Sequence, residues 1–340
     1  MGASADAPIL SFRMALVRNW NWRCRRRAAQ RVARTLLLVS TPLFPARVSS
    51  GAPPDAVRQQ SNQLHIDVVI VAHADDWQVF MGDALVERIR SGHRPVFIYL
   101  TAGDHGRTAG YWRQRERAAL QSTRIALAAP RLAATCDSVV VSTHRLAHCR
   151  LGVSDSYFLR LPDGNRNGAG FARNGFESLR KLRSNQVQSI DAVDSSAHYA
   201  SWQDLYATVS TLVRMAGDSA RSTVMLHTTD PSVRANPHDH YDHRMAGKLT
   251  ENLLNAHRWR GRYYVGYALA AHAPNRTTLQ RQEKTEVFSA YDQEMMKIDP
   301  AWSAYREHPR FYADCMLRTY SRVPRVITPG SRQRRSIVSP

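Results

Sequence analysis

The sequence is poor in cysteine and in long apolar runs. Only four of its 340 residues are cysteine and 43% are hydrophobic, so the chain can bury a large core without a disulfide framework. The apolar run at residues 36–44 is interrupted by Pro42 and is far shorter than the ~20 residues that cross a bilayer. We therefore expect no stable membrane span. Cys136 and Cys149 either pair, in an oxidising compartment, or remain buried thiols.

Acidic residues are also scarce, with 28 Asp+Glu against 47 Lys+Arg and a formal net charge of +19. Such a charge indicates nucleic-acid binding when it covers a folded face. Residues 1–60 carry +8 and residues 315–340 carry +6, which leaves only +5 for the chain between them. We therefore expect no specific nucleic-acid partner and attribute the excess to targeting or to solvated tails. No pattern in the sequence indicates an oligomeric state.

The N-terminal segment has the order of a secretory signal. Six arginines between residues 23 and 34 precede the apolar run, and small residues follow at 49–52. This order predicts export to the periplasm or the extracellular space. The alternative is an Arg-rich extension of a cytoplasmic protein whose true start is Met14. We divide the chain into this segment (1–60), one globular domain (61–300) and a basic C-terminal tail (301–340).

Short β-branched runs alternate with helical patterns over most of the domain. Residues 66–72 form a nearly continuous apolar run, which is typical of a buried parallel strand. The further predicted elements are strands at 95–101, 138–143, 223–228 and 263–269, and helices at 80–89, 111–128, 202–215, 243–257 and 279–296. Residues 144–200 are less regular and are interpreted as an insertion. The pattern predicts a single α/β domain with a doubly wound, mostly parallel (Rossmann-like) sheet flanked by helices. No GxGxxG follows the first strand, which argues against a dinucleotide site.

Two clusters of histidine and aspartate follow predicted strands. Residues 72–76 read AHADD, and residues 238–243 read HDHYDH. Taken singly, each residue is better explained as a solvated loop histidine or a helix-capping aspartate. Because both clusters follow strand ends of one sheet, we expect them to meet. His73 and Asp76 with a third ligand from the second cluster would make a catalytic zinc site with an open position.

At these residues the sequence resembles the PIG-L/LmbE-like zinc N-deacetylases. AHADD is similar to the family motif AHPDD, and HYDH at 240–243 to HPDH. Three weaker similarities agree: TAGDHG at 101–106 with TxGExG, RQRE at 113–116 with RxxE, and Lys284 with YDQ at 291–293 with K…YxxQ. The resemblance spans residues 66–293. It implies an N-acetylated sugar or glycoconjugate as substrate and Zn²⁺ as cofactor, with another divalent metal as the alternative.

Carried over residue by residue, the resemblance implies a role for each position. The implied metal ligands are His73, Asp76 and His243. Asp75 matches the general base, and His240 the histidine that assists at the oxyanion or the leaving group. Asp242 would orient a ligand histidine. The chain departs from the family pattern at Ala74, Trp77 and His238.

Four further residues are candidates for substrate binding, and two of them, Arg113 and Asp104, also have a simpler structural interpretation. Arg113 contacts a substrate hydroxyl or phosphate, or forms an exposed pair with Glu116. Asp104 lines the pocket or closes its own turn. Trp77 stacks on a sugar face, and His238 takes the place of a carbonyl-polarising tyrosine of one relative. For Asp163 the preferred interpretation is a turn residue, and the second is a ligand. For Lys284 the preferred interpretation is a solvated helix face, and the second is a side chain that binds an anionic group.

The predicted function is metal-dependent hydrolysis of an N-acetyl amide. Zinc polarises an amide carbonyl and activates water, and a nearby carboxylate that is not a ligand takes the proton. The alternative is a sugar-binding module that keeps the fold without catalysis. The presence of His73, Asp75, Asp76, His240 and His243 together favours the enzyme.

Overall fold

The computed structural model describes residues 63–218, 222–257 and 259–325. The strands are β1 Leu64–Val71, β2 Arg94–Thr101, β3 Thr135–Val141, β4 His144–Leu151, β5 Ser154–Leu161, β6 Ile190–Asp191, β7 His198–Tyr199, β8 Ser222–Thr229, β9 Arg260–Tyr264 and β10 Ser321–Arg322. The α-helices are α1 Asp76–Arg90, α2 Ala109–Ala126, α3 Leu179–Arg183, α4 Trp202–Ala216, α5 Tyr241–Ala256, α6 Thr278–Met296, α7 Ala304–Glu307 and α8 Pro309–Met316.

An eight-stranded sheet forms the centre of the domain, in the order β10-β9-β8-β1-β2-β5-β4-β3. The five strands from β9 to β5 run parallel, whereas β10, β4 and β3 pair antiparallel with their neighbours. Helices cover both faces of this sheet. The predicted α/β fold with a mostly parallel sheet is therefore confirmed.

The first strand shows why the sheet is covered on both sides. Ile66, Val68 and Ile70 of β1 pack into the core beneath α3, α4 and α5. Val69 and Val71 point the other way, into the core beneath α1, α2 and α6. Alternate residues of a strand face opposite sides of a sheet, so a continuous apolar run requires two apolar layers.

Residues 144–200, predicted as an irregular insertion, contain two strands of the main sheet. β5 pairs in parallel with β2, and β4 joins it to the edge strand β3. Polar residues interrupt both sequences, at partly exposed positions in β4 (HRLAHCRL) and at mostly buried ones in β5 (SDSYFLRL), so neither sequence is a continuous apolar run. Cys136 and Cys149 lie opposite each other on β3 and β4 and form a disulfide.

Residues 301–325, predicted as part of a basic tail, are folded onto the domain. Cys315 and Met316 of α8 are buried, and β10 pairs with β9. Lys284 of α6, predicted on a solvated face, is buried and donates to the Arg318 carbonyl and to Thr319 Oγ1. Burial lowers the pKa of Lys284 to about 8. Residues 301–325 were predicted as a tail because of their arginine content, although they also contain the apolar residues that pack onto the domain. No helix among the described residues is long and apolar enough to cross a membrane.

Candidate active site

A cavity of about 560 Å³ opens where the parallel strands end. Loops after β1, β2 and β5 and the start of α5 supply one side of its wall, and α6 with the segment after it supplies the other. Ligand sites of doubly wound sheets lie at this edge because the loops of several strands converge there. His73, Asp75, Asp76 and His240 all line the cavity, and His243 lies immediately behind it.

Three buried side chains converge at the bottom of the cavity. Nε2 of His243 lies 3.0 Å from Oδ1 of Asp76 and 3.2 Å from Nδ1 of His73, and the His73–Asp76 distance is 3.4 Å. Burial would raise the pKa of Asp76, but the neighbouring His243 and His73 hold it well below its usual value. Asp76 also accepts the backbone N–H of His73 at 2.8 Å.

The spacing of these three atoms fits a divalent metal ion. Tetrahedral zinc with ligand bonds of 2.0–2.1 Å places its ligand atoms about 3.3 Å apart. The two nitrogens and one oxygen lie 3.0–3.4 Å from one another. Two imidazoles and one carboxylate are also the ligand types that zinc accepts in catalytic sites. The residues predicted from two distant segments are thus brought together, and His73, Asp76 and His243 could hold the ion.

Asp239 holds the His243 ring in place. Oδ1 of Asp239 lies 2.9 Å from Nδ1 of His243, which leaves Nε2 facing the other ligands. The buried Asp239 carboxylate also accepts the N–H of Tyr267 at 3.1 Å and a bond from the Asn236 amide. This role of Asp239 was not predicted from the sequence. The signal was the spacing of four residues between Asp239 and His243, across the start of α5.

Replacing Asp239 with asparagine is expected to weaken metal binding about 10- to 100-fold, because outer carboxylates orient a ligand histidine and raise its basicity. Metal affinity would be measured by competition with a chromophoric chelator. Asp230→Asn is the matched control, since Asp230 is equally buried but pairs with Arg322, outside the cavity. Equal losses of affinity in the two variants would contradict this role.

Asp75 stands beside the three converging side chains and is paired with a different residue. Its carboxylate forms an ion pair with Arg115 of α2, and both side chains are largely buried against the cavity. The Arg115 guanidinium lies about equally far from the Tyr111 and Tyr291 rings, at 5.9 and 6.0 Å. Asp75 is therefore a held carboxylate that faces the cavity and is not among the converging ligands.

The predicted substrate residue Arg113 is exposed and does not line the cavity. Positions 113 and 115 lie on nearly opposite faces of a helix, because each residue advances about 100°. Glu116 pairs with Arg160 of β5 at 2.7 Å and not with Arg113. The RxxE similarity therefore located the correct helix but not the residue that faces the site.

His240 lines the same cavity as Asp75. Its Nδ1 accepts the backbone N–H of Asp242 at 3.2 Å, so Nε2 carries the proton of the neutral ring. Burial and the nearby His73 and His243 hold the pKa of His240 far below its usual value. Nε2 lies 3.7 Å from Oδ1 of Asp163. A neutral imidazole thus presents one N–H toward the cavity.

Two further aspartates surround His73 and His240. Oδ2 of Asp242 accepts the Gly164 N–H at 2.7 Å and lies 3.6 Å from Nε2 of His73, as expected for a residue that orients a histidine. Oδ2 of Asp163 lies 3.9 Å from the same nitrogen. Asp163 lines the cavity, so it belongs to the site as well as to its turn. With His240, these residues form a second buried group of potential ligands around His73.

Three other predicted residues lie outside the cavity. Trp77 is fully buried and donates to the Tyr99 hydroxyl at 3.1 Å, so it is a core residue and not a sugar platform. His238 is exposed and does not line the cavity. Asp104 is buried and does not line the cavity; its carboxylate accepts the N–H groups of Asp163 and Gly106.

An aromatic wall closes the side of the cavity away from the strands. Its rings come from Tyr291 of α6 and from Trp302, Phe311 and Tyr312 in the segment predicted as a tail. Tyr267 faces the wall from the other side, with its ring 5.1 Å from that of His243 and 5.5 Å from that of Phe311. The K…YxxQ similarity marked Tyr291, but no motif marked the other rings, since aromatic residues are also common in cores.

Fold and site together define an α/β protein with a buried His-Asp-His centre, a held carboxylate and a neutral histidine around one cavity. A family model described as "PIG-L: GlcNAc-PI de-N-acetylase" matches residues 68–254, more than half of the chain. The chain belongs to this family. A search of curated proteins gives no match.

Solved structures give several matches over most of the chain. The conserved protein TT1542 from Thermus thermophilus is 17% identical with a TM-score of 0.36, covering 79% of this chain and 99% of that one. N,N'-diacetylchitobiose deacetylase from Pyrococcus horikoshii is 15% identical with a TM-score of 0.37, covering 79% and 88%. The zinc inhibited form of teicoplanin deacetylase Orf2 is 12% identical with a TM-score of 0.41, covering 76% and 97%.

Proposed function

We propose that this protein is a zinc-dependent N-deacetylase that hydrolyses the N-acetyl group of an amino sugar or a related glycoconjugate. The observation that carries the proposal is the convergence of His73, Asp76 and His243 beside a carboxylate, Asp75, that is not one of the three. Membership of a family described by a de-N-acetylase supports the same reaction. The cavity of about 560 Å³ is in the range that encloses small-molecule substrates.

His73, Asp76 and His243 would hold the zinc ion. When bound, zinc polarises the amide carbonyl and lowers the pKa of water to about 7. Asp75 then acts as the general base, accepting the proton of the water that attacks the carbonyl carbon. The ion pair with Arg115 fixes the direction of the Asp75 carboxylate and restricts its rotation.

His240 acts on the other side of the reacting carbonyl. Its Nε2–H faces the cavity and can donate to the carbonyl oxygen as negative charge develops there, the arrangement that stabilises tetrahedral transition states. The proton taken up by Asp75 passes to the departing nitrogen, because an amide nitrogen leaves poorly as an anion. The products are acetate and a free amine, which balances the added water.

An acetate-release screen over N-acetylated saccharides, with and without chelator, tests this proposal. We expect acetate and free amine in equal amounts from at least one amino-sugar amide, and loss of both when the metal is removed. Glycan binding without acetate release by the zinc-loaded protein would contradict the enzyme and favour the sugar-binding module.

We also propose that the protein is exported. The arginine-rich N-terminal segment with its apolar run lies outside the described residues, but its order supports export. The disulfide between Cys136 and Cys149 is a second support, since disulfides persist in oxidising compartments. Expression of the full chain in its host, followed by fractionation and mass measurement, should give a shortened, oxidised protein outside the cytoplasm. An intact N-terminus in the cytoplasmic fraction would contradict export.

A further inference from the structure

Two arginines at the rim of the cavity have no acidic partner among the described residues. Arg107 follows β2 and Arg166 follows β5, and both are exposed and line the cavity. The Arg107 guanidinium lies 4.5 Å from the Tyr111 ring, and that of Arg166 lies 5.6 Å from the Tyr267 ring. Each positive charge therefore rests on an aromatic ring of the cavity wall, where it remains available to a ligand.

The acidic groups that line the cavity are already engaged. Asp75 pairs with Arg115, Asp76 with His73 and His243, and Glu307 with its neighbour His308 at 3.8 Å. Asp163 lies between His73 and His240 and accepts the Asn165 N–H at 2.8 Å. Among the described residues neither rim guanidinium is paired with a carboxylate; the Arg166 guanidinium donates only to the His238 carbonyl, at 3.4 Å.

A buried carboxylate joins the loops that carry these arginines. Oδ1 of Asp104 accepts the Asp163 N–H at 2.9 Å, and Oδ2 accepts the Gly106 N–H at 3.1 Å and the Asn174 side-chain amide at 2.8 Å. Asp104 is almost fully buried, so these bonds are protected from water. The loop of Arg107 is therefore fixed to the loop of Arg166, so both arginines stand on one connected pair of loops at the cavity.

Arg115, in the cavity wall beside Asp75, has a side-chain donor without a partner in the described part of the chain. Arg115 is nine-tenths buried and lines the cavity, yet its only hydrogen bond among the described residues goes to Asp75, and its Nε has no partner. Buried donors of this type normally find an acceptor. Because Arg115 is neutralised by Asp75 and its Nε is buried beside Gly103, the positive charge open to a ligand comes from Arg107 and Arg166.

We propose that Arg107 and Arg166 form an oxyanion subsite, and that the substrate carries a carboxylate or phosphate group next to its N-acetylated sugar. This inference rests on the proposed function, since it takes the cavity as the substrate site. Guanidinium forks match both oxyanions and bind them through paired hydrogen bonds. The subsite selects among amino-sugar amides and takes no part in the bond cleavage.

Binding of deacetylated products to the zinc-loaded full chain tests the subsite without turnover. The ligands are glucosamine 1-phosphate, a glucosaminyl-glucuronate disaccharide and methyl glucosaminide, which lacks an anionic group. We expect one of the two anionic ligands to bind at least tenfold more tightly than methyl glucosaminide, with the advantage falling as salt increases. The tighter of the two identifies the source of the oxyanion as phosphate or carboxylate.

The double variant Arg107→Gln/Arg166→Gln should lose this advantage, with about a tenfold loss for each arginine. The matched control is Arg113→Gln/Arg117→Gln, which removes the same charge from exposed positions of α2 outside the cavity. Equal losses in the two double variants, or equal binding of neutral and anionic ligands by the wild type, would overturn the subsite. If anion binding behaves as expected but no amide releases acetate, the proposed function fails and the subsite stands.

Discussion

Replacing Asp75 with asparagine is expected to lower kcat by about 10²–10⁴-fold while the protein keeps its metal. Asparagine has nearly the same shape and remains beside Arg115, but it cannot accept a proton from water. The three converging ligands are His73, Asp76 and His243, so removing the Asp75 charge does not remove a ligand. Metal content by elemental analysis and acetate release on the same sample measure the two effects separately.

The control for this variant is Asp191→Asn, which neutralises an exposed carboxylate outside the cavity. It should retain both metal and turnover. Near wild-type turnover in Asp75→Asn would show that the base lies elsewhere. Loss of metal together with turnover would instead make Asp75 a ligand, contrary to the geometry of the site.

Ending the chain after residue 299 is expected to prevent stable folding. The truncation removes Cys315 and Met316 from the core and the strand that pairs with β9. It also removes both hydrogen-bond acceptors of the buried Lys284. A hydrogen bond to a charged group contributes about 1.5–3 kcal/mol, a large part of the 5–15 kcal/mol that stabilises a typical domain. Three of the four rings of the aromatic wall, Trp302, Phe311 and Tyr312, are lost as well.

Circular dichroism during heating measures this effect, and a chain that ends after residue 325 is the comparison. The difference between the two chains isolates the contribution of residues 300–325. We expect the longer chain to unfold cooperatively and the shorter one to show no cooperative transition. Equal Tm values would mean that this segment is a dispensable tail, as the sequence alone suggested.

The meeting of the two His/Asp clusters was predictable because the residues of each are strongly localised in the sequence, whereas His243 was implied as the third side chain by the family resemblance. His73 and Asp76 follow the first strand, and His243 opens the helix after β8. Since β1 and β8 are adjacent and parallel, the two clusters must meet at one edge of the sheet. The apolar run of β1 and the polar residues that follow it are both local signals, and neither depends on distant contacts.

The surrounding residues were less predictable because their roles depend on tertiary contacts. Arg115 and Arg113 are the same residue type on different faces of α2, and only the face of Arg115 is turned to the cavity. Trp77 follows the motif directly, yet the first turn of α1 carries it into the core, where it contacts Tyr99. Asp163 resembles an ordinary turn residue until β5 is known to lie beside β2. Nothing in the local sequence distinguishes these cases.

A zinc titration of metal-free protein tests the central claim, that His73, Asp76 and His243 hold the ion on which deacetylation depends. Zinc would be added in steps to chelator-treated protein, and acetate release from an N-acetylated amino sugar would be measured at each step. We expect activity that rises in proportion to added zinc and levels off at one equivalent. Full activity in the metal-free protein would contradict this claim.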